Sequence, residues 1–470
     1  MGRTSGCCSF DYDVAIIGGG SAGYAAARTS AAAGLRTVVI DGGAEAGGLC
    51  ILRGCMPTKS LLYAAEAMHL AGKLQTWGVL TENVDFDLGR VMARKRALID
   101  DLAKSRREEL TAGLFKFHRG RARFVDPHTV ELEGHGPLTA ASFVITTGSS
   151  VAPPPLPGFH ETGYLTSDDA LELTRLPESL VILGGGPVAV EFAQFFARFG
   201  VRVTILQRGG HLLGDFDTDL AEDVEKVFRR DGIEVFTNTK ICRVLRGNHG
   251  KTVSFEHEGR VRSVSAEEIM LAIGRDPNTA RLDLDKAGVA TEHGRIVTDE
   301  RMRTSMPHIY AAGDCTGPHA IVHLAVRQGE IAAHNIMQPD SIWKMDDRLL
   351  LAVIFTDPQV AQVGLSEKSA ARLGIPYHVA TYPFRELGKS VIMDATDGHV
   401  KLLADPKSGE ILGGACVGPV GGELIQEIVA AMAKRMTVHE LAILPHYHPT
   451  LVEIWTYPAE ELAGRITPRE

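Results

Sequence analysis

A strand–glycine–helix–strand pattern that occurs twice is what most limits the folds open to this chain. Asp13-Val14-Ala15-Ile16-Ile17 reads as a short buried strand, and Gly18-Gly19-Gly20-Ser21-Ala22-Gly23 follows directly. An Ala-rich helix is expected from Tyr24 to Ala33. After Gly34, Thr37-Val38-Val39-Ile40 reads as a second strand ending in Asp41. In such a βαβ unit Gly18 makes the tight turn, Gly20 lets the backbone approach a pyrophosphate and Gly23 packs helix on strand, while the helix N-terminus attracts the anion. An acid about twenty residues on, here Asp41, accepts hydrogen bonds from a ribose. The second copy runs from Leu180-Val181-Ile182-Leu183 through Gly184-Gly185-Gly186-Pro187-Val188-Ala189 and a helix to Phe199, into Val201-Arg202-Val203-Thr204-Ile205-Leu206. Ala189 replaces the third glycine, a permitted variant. The 23-residue step from Gly18 to Asp41, taken from Gly184, lands on Gln207, with Arg208 next. The second site therefore lacks the carboxylate that favours an unphosphorylated ribose, and it offers a guanidinium that could meet a 2′-phosphate.

Just behind the first unit lies Gly47-Gly48-Leu49-Cys50-Ile51-Leu52-Arg53-Gly54-Cys55, followed by Met56-Pro57-Thr58-Lys59. In an ideal helix, positions five apart sit about 8–9 Å apart at Cα, whereas a disulfide needs roughly 4.4–6.8 Å. A bridge therefore requires the segment to bend, and Gly54 is the residue that lets it. A strained bridge is easily reduced, which suits a catalytic disulfide. Spacing alone fits two unpaired buried thiols equally well. The surrounding glycines and the upstream fingerprint decide for a redox pair. Of seven cysteines, Cys7 and Cys8 fall in a Gly/Ser-rich tail expected to be disordered, and Cys242, Cys315 and Cys416 are expected to be core fillers.

Composition narrows the class further. At 470 residues the chain exceeds one core and implies three or four domains. A 23% charged and 44% hydrophobic content describes an ordinary globular protein. A net charge of −9 argues against a nucleic-acid partner. Between Arg90 and Arg107, basic Arg94, Lys95, Arg96, Lys104 and Arg106 alternate with Met92, Leu98, Ile99 and Leu102 at helical spacing, which predicts a solvated helix face. No apolar run approaches a membrane span. The first residues lack the apolar core of a signal peptide, and Gly6 fails the acylation pattern. A cytoplasmic location is the expectation.

Four further segments complete a recognisable set: Ile145-Thr146-Thr147-Gly148-Ser149, Ala272-Ile273-Gly274-Arg275-Asp276-Pro277-Asn278-Thr279, Ile309-Tyr310-Ala311-Ala312-Gly313-Asp314, and His446-Tyr447-His448-Pro449-Thr450-Leu451-Val452-Glu453. In order and spacing, from about Tyr12 to Thr456, the chain resembles the flavin-dependent pyridine nucleotide–disulfide oxidoreductases. That family includes dihydrolipoamide dehydrogenase, glutathione reductase and mercuric reductase. The resemblance implies an α/β fold with two Rossmann-like dinucleotide-binding domains and a C-terminal α+β dimerisation domain. It implies FAD at Gly18, Gly20, Gly23, Asp41, Gly48, Thr147, Gly148 and Asp314, and NADPH or NADH at Gly184, Gly186, Gln207, Arg208 and Gly274. Cys55 would be the sulfur next to the flavin and Cys50 the interchange thiol. Lys59 and Glu191 would pair beside the flavin, the lysine stabilising negative charge on the reduced ring. His448 would shuttle the thiol proton, oriented by Glu453 across a turn.

The implied organisation is a tail over 1–10, a flavin domain over 11–152, a nicotinamide domain over 153–279, a return to the flavin domain over 280–347 and a dimerisation domain over 348–470. The implied partners are a second copy of the chain and a small-molecule or lipoyl-type disulfide or dithiol, with no nucleic acid, membrane or metal site. Leu424, Ile425, Ile428, Val429 and Met432 form an apolar stripe expected to pack on the partner. Three departures from the family pattern stand out: Leu49 replaces a threonine, Leu52-Arg53 replaces Asn-Val, and Ile466 to Glu470 carry no cysteine. The last weakens a mercuric-reductase reading. The His-Tyr-His-Pro-Thr form points to dihydrolipoamide dehydrogenase, whereas Gln207-Arg208 points to NADPH-using reductases.

Overall fold

A computed structural model describes residues 10–247, 250–317 and 319–467. Residues 1–9, which hold Cys7 and Cys8, lie outside the described residues. The chain divides into two compact units. One comprises residues up to Thr58 with Ala93–Ala152 and Arg275–Met345; the other comprises Lys59–Met92, Pro153–Gly274 and the chain from Asp346 onward.

The first unit is built on a parallel sheet. Strands Lys116–Arg119, Thr37–Asp41, Tyr12–Ile17 and Gly136–Ile145 lie side by side in that order, and Ile309–Ala311 adds beyond the last. Val14, Ala15 and Ile16 are wholly buried, as a strand covered on both faces requires. The helix Ser21–Ala32 begins three residues before the sequence predicts, immediately after the glycine turn. It packs on Val322–Met337 so closely that a Cβ on Gly329 would lie 2.3 Å from the Ala22 carbonyl oxygen. The long strand Gly136–Ile145 serves two sheets, because its first half also pairs antiparallel with Thr129–Leu132.

The second unit repeats the plan. Strands Glu234–Phe236, Arg202–Leu206, Ser179–Leu183 and Glu268–Leu271 form a parallel sheet in that order, with an antiparallel meander over Lys240–Ala266. The same unit holds a five-stranded antiparallel sheet in the order Leu351–Ile354, Gln359–Gly364, Ile411–Gly418, His399–Ala404, His378–Pro383. Against it pack the helices Gly421–Ala433 and Thr456–Arg465.

Three expectations are corrected here. Leu424, Ile425, Ile428 and Met432 do not face outward for a partner. They are buried in the C-terminal core with Trp455, whose indole N–H bonds the Leu424 carbonyl at 3.0 Å. Amphipathicity says that a face is covered, not by which chain. Among the apolar side chains that are exposed in this region are Ile443 at 81% and Tyr447 at 82%, with Leu444 less so. Cys315 and Cys416 are indeed buried, but Cys242 is exposed on the meander, at a bulge between Ile241 and Arg243 where it has no cross-strand partner. In the helix Leu88–Thr111, Lys95 is buried and Leu98 exposed, so the basic stretch is not a uniformly solvated face. No helix of the described residues is long and apolar enough to cross a membrane.

Candidate active site

The cysteine segment is two helices, not one. Gly48–Leu52 ends at Arg53, whose backbone (φ −145°, ψ 13°) is not helical, and a new helix, Cys55–Lys73, starts after Gly54. The expected bend is present, shared between two residues. Arg53 makes the break. Gly54 allows close approach, because a Cβ there would lie 3.0 Å from the Leu49 carbonyl oxygen and 3.3 Å from the Cys50 Cα. Cys50 and Cys55 are both half-buried. Gly48 has φ +73°, and its Cβ would lie 2.6 Å from the Gly20 Cα. The cysteine segment is thereby held against the first glycine turn.

That turn fits a dinucleotide. Added Cβ atoms at Gly18 and Gly23 would lie 2.3 Å from the Thr146 carbonyl oxygen and 1.9 Å from the Gly18 carbonyl oxygen, so only glycine lets strand and helix meet. The helix N-cap is Gly20, which supplies no side-chain cap, so the first-turn N–H groups remain for an anion. Asp41 closes the neighbouring strand; one of its oxygens accepts from Gly43 N–H at 2.8 Å and the other would be 2.6 Å from a Cβ on Gly19. Thr147 and Gly148 follow the strand Gly136–Ile145, and Asp314 follows Ile309–Ala311, so both lie at the carboxyl ends of parallel strands. Asp314 accepts from the Ser149 hydroxyl at 2.6 Å. The residues present therefore suit FAD. Beside Asp314, Cys315 is fully buried, and burial pushes its thiol up to about 11, which leaves it inert.

In the second unit, Lys59 and Glu191 meet as expected. Lys59 Nζ donates to both Glu191 oxygens at 2.9 and 2.8 Å and lies 4.7 Å from the centre of the Phe355 ring. Phe355 N–H also donates to Glu191 Oε1, at 3.0 Å. Nothing in the sequence pattern marked Phe355.

The second glycine turn copies the first. A Cβ on Gly184 would lie 2.2 Å from the Ala272 carbonyl oxygen, and the helix Pro187–Arg198 has the uncapped Gly186 at its N-cap. Gln207 lies where Asp41 lies in the first copy: a Cβ on Gly185 would be 2.9 Å from its side-chain carbons. Arg208 is exposed, and no other described residue bonds its guanidinium. Gly274 has φ +119° with open space around its missing side chain, as a ligand-facing turn would. These residues suit a pyridine nucleotide.

His448 and Glu453 meet across the expected turn. His448 Nδ1 lies 2.9 Å from Glu453 Oε2, and Thr450 N–H holds the other oxygen at 3.2 Å. Glu453 is buried, while the His448 side chain is 76% exposed. A carboxylate at Nδ1 fixes the proton there and leaves Nε2 to exchange a proton with an incoming group. Behind it, His446 is almost buried and bonded on both sides, to Glu427 at 2.8 Å through Nε2 and to Thr456 at 2.9 Å through Nδ1.

Comparison with known proteins agrees with this geometry. The family model described as "Pyridine nucleotide-disulphide oxidoreductase" matches residues 12–329, and that family's dimerisation domain matches 351–459. A dihydrolipoyl dehydrogenase of Geobacillus stearothermophilus is 33% identical over 461 residues, covering 97% of each chain. A mercuric reductase of Staphylococcus aureus is 32% identical over 92% of this chain and 79% of its own. Among solved structures, the HOCl-induced flavoprotein disulfide reductase RclA from Escherichia coli superposes with TM-score 0.84 at 29% identity, covering 96% of this chain and 99% of its own. LpdA from Mycobacterium tuberculosis gives 0.86 at 27% identity with the same coverage. The chain belongs to the pyridine nucleotide–disulfide oxidoreductase family. It is an FAD-dependent disulfide oxidoreductase that uses NAD(P)H, and its C-terminal part is the family's dimerisation domain.

Proposed function

We propose that the Cys50–Cys55 pair exchanges electrons with a lipoyl-type or other low-molecular-weight disulfide, drawing on NADPH. The observation that carries this reading is the His448–Glu453 pair, with Nδ1 anchored on a buried carboxylate and Nε2 turned outward. Bound FAD would supply the two-electron exchange between nicotinamide and sulfur. The chain's own part is thiol chemistry. Cys50 Sγ attacks one sulfur of the substrate disulfide, that S–S bond breaks, and the leaving thiolate takes a proton from His448 Nε2. Cys55 Sγ then attacks Cys50 Sγ of the mixed disulfide, expelling the second substrate thiolate and closing the Cys50–Cys55 bond. Glu453 stabilises the imidazolium between these steps. Two copies of the chain act as one dimer in this reading, each His448 serving the cysteines of the partner. Domain limits at about 152, 279 and 347 fit the positions of the two glycine turns and the C-terminal sheet.

Likeness to a mercuric reductase, and to RclA, which is also described as a Cu(II) complex, supports a second reading in which the cysteines deliver electrons to a metal ion. Steady-state turnover with NADPH and NADH across lipoamide, glutathione disulfide, a quinone and mercuric ion separates the two. The first reading expects a disulfide to give the highest kcat/KM. Preference for the metal ion or quinone rejects it.

A further inference from the structure

The Asp314 carboxylate does not stand alone. Its Oδ2 accepts from Ser149 Oγ at 2.6 Å, and Ser149 Oγ in turn accepts from Arg275 Nε at 2.9 Å. A serine hydroxyl has one proton to donate. Arg275 can only donate and a carboxylate can only accept, so the direction is fixed: Arg275 to Ser149 to Asp314. Arg275 holds the same serine a second time, through Nη2 to the Ser149 carbonyl oxygen at 2.9 Å. No other hydrogen bond holds the Asp314 carboxylate among the described residues.

Backbone geometry enforces the arrangement. Ser149–Val151 and Arg275–Pro277 pair as a two-stranded antiparallel ribbon, with Arg275 opposite Val151 and Pro277 opposite Ser149. Asn278 locks the ribbon to the preceding loop, its backbone N–H bonding the Gly148 carbonyl at 2.9 Å and its side chain the Thr147 carbonyl at 3.1 Å. These are the positions at which the chain leaves the first unit, after Ala152, and re-enters it, at Arg275. Three segments far apart in sequence therefore meet on one carboxylate.

We infer that Ser149 and Arg275 are positioning residues for the flavin. They hold Asp314 Oδ2 so that Oδ1 is presented to a hydroxyl of the flavin's sugar-alcohol chain. The two hydrogen bonds from Arg275 fix the serine, and the serine hydroxyl in turn keeps that carboxylate pointed. This rests on Asp314 being a flavin ligand. It adds a dependence of flavin retention on the ribbon that carries the chain out of and back into this unit.

The test is FAD binding, with ADP as an internal control for the half of the site built by Gly18–Asp41. On the full-length holoenzyme, FAD release is followed by the rise of flavin fluorescence on dilution; on the flavin-stripped full chain, ADP affinity is measured by calorimetry. Loss of a charge-assisted hydrogen bond predicts roughly ten-fold or greater weakening of FAD binding in Ser149→Ala, with ADP affinity unchanged. Ser149→Thr, which keeps the hydroxyl, restores FAD retention, and Arg275→Gln weakens FAD in the same direction as Ser149→Ala. Unchanged FAD affinity in Ser149→Ala overturns the inference, as does an equal loss of FAD and ADP, which would mean general disruption. Asp314→Asn with unchanged FAD affinity would instead reject Asp314 as a ligand, a distinct failure.

Discussion

Gln207 lies against Gly185, its side-chain carbons 2.9 Å from where a Cβ on that glycine would stand. An uncharged amide thus occupies the point at which Asp41 serves the first dinucleotide turn. With Arg208 exposed and its guanidinium unengaged beside it, a 2′-phosphate meets attraction and no repelling carboxylate. NADPH should therefore be preferred over NADH. Arg208→Ala should raise the KM for NADPH by about ten-fold or more, the worth of one charge-assisted hydrogen bond, and spare NADH. Equal loss for both cofactors would assign Arg208 a structural role.

The roles of the two cysteines separate spectroscopically. With Cys55 as the sulfur next to the flavin, the two-electron-reduced protein should show a long-wavelength charge-transfer absorption. Cys55→Ser should abolish it, and Cys50→Ser should show it without reductant. Absence of the band from Cys50→Ser at every accessible pH reverses the assignment.

Glu191 is buried and Lys59 is about one-third exposed, so removing either partner has unequal consequences. Lys59→Ala leaves a buried carboxylate with only the Phe355 N–H and should cost roughly 1.5–3 kcal/mol in urea unfolding. Glu191→Gln leaves an ammonium that can turn to water and should cost less. The double variant should be less destabilised than the sum of the two. Strict additivity would mean that the pair is energetically uncoupled.

His399 gives a stability signature at alkaline pH. Burial pulls its pKa down, but hydrogen bonds to Asp219 at 3.1 Å and Asp223 at 2.8 Å outweigh burial and push it up to about 9. Lys401, also buried, bonds the same Asp219 together with Asp217 and Glu367. A pKa raised above the ordinary value of about 6.5 means that the contribution is complete below pH 6.5 and is lost as pH rises through 9. Melting temperature should fall across that window, and His399→Gln should be less stable below pH 6.5 and largely flatten the decline. The difference is at most roughly 3 kcal/mol. An undiminished decline in His399→Gln removes the histidine as its cause.

Shared active sites predict complementation. Inactive Cys50→Ser and inactive His448→Ala subunits, mixed and re-paired, should regain one working site in each mixed dimer, about half the activity per dimer. Verified mixed dimers that hold flavin yet turn over no substrate place each His448 with its own cysteines.

Both dinucleotide units and the His448–Glu453 pair were legible in the sequence because each depends on local spacing: glycines where a Cβ would strike backbone, and five residues around a turn. Partners distant in sequence were not legible. Phe355, which no local pattern marks, reaches Glu191 from 164 residues away, and Arg275 reaches Ser149 from 126, a pairing that neither of their motifs announces. Lys401 sits in an apolar run, Val400-Lys401-Leu402-Leu403, where a strand pattern alone gives no sign of the carboxylates that satisfy it. The stripe on Gly421–Ala433 shows the same limit from the apolar side.

Because Leu424, Ile425, Ile428 and Met432 close their own core around Trp455, the C-terminal region has a complete hydrophobic interior before any second copy arrives. A chain that closes its own core in this way is expected to fold before it pairs, with Ile443 and Tyr447, close to His448 in sequence, among the apolar side chains it leaves exposed. Dilution should therefore yield a compact single chain that is silent in catalysis, so that enzyme concentration itself sets how much of the pool is switched on.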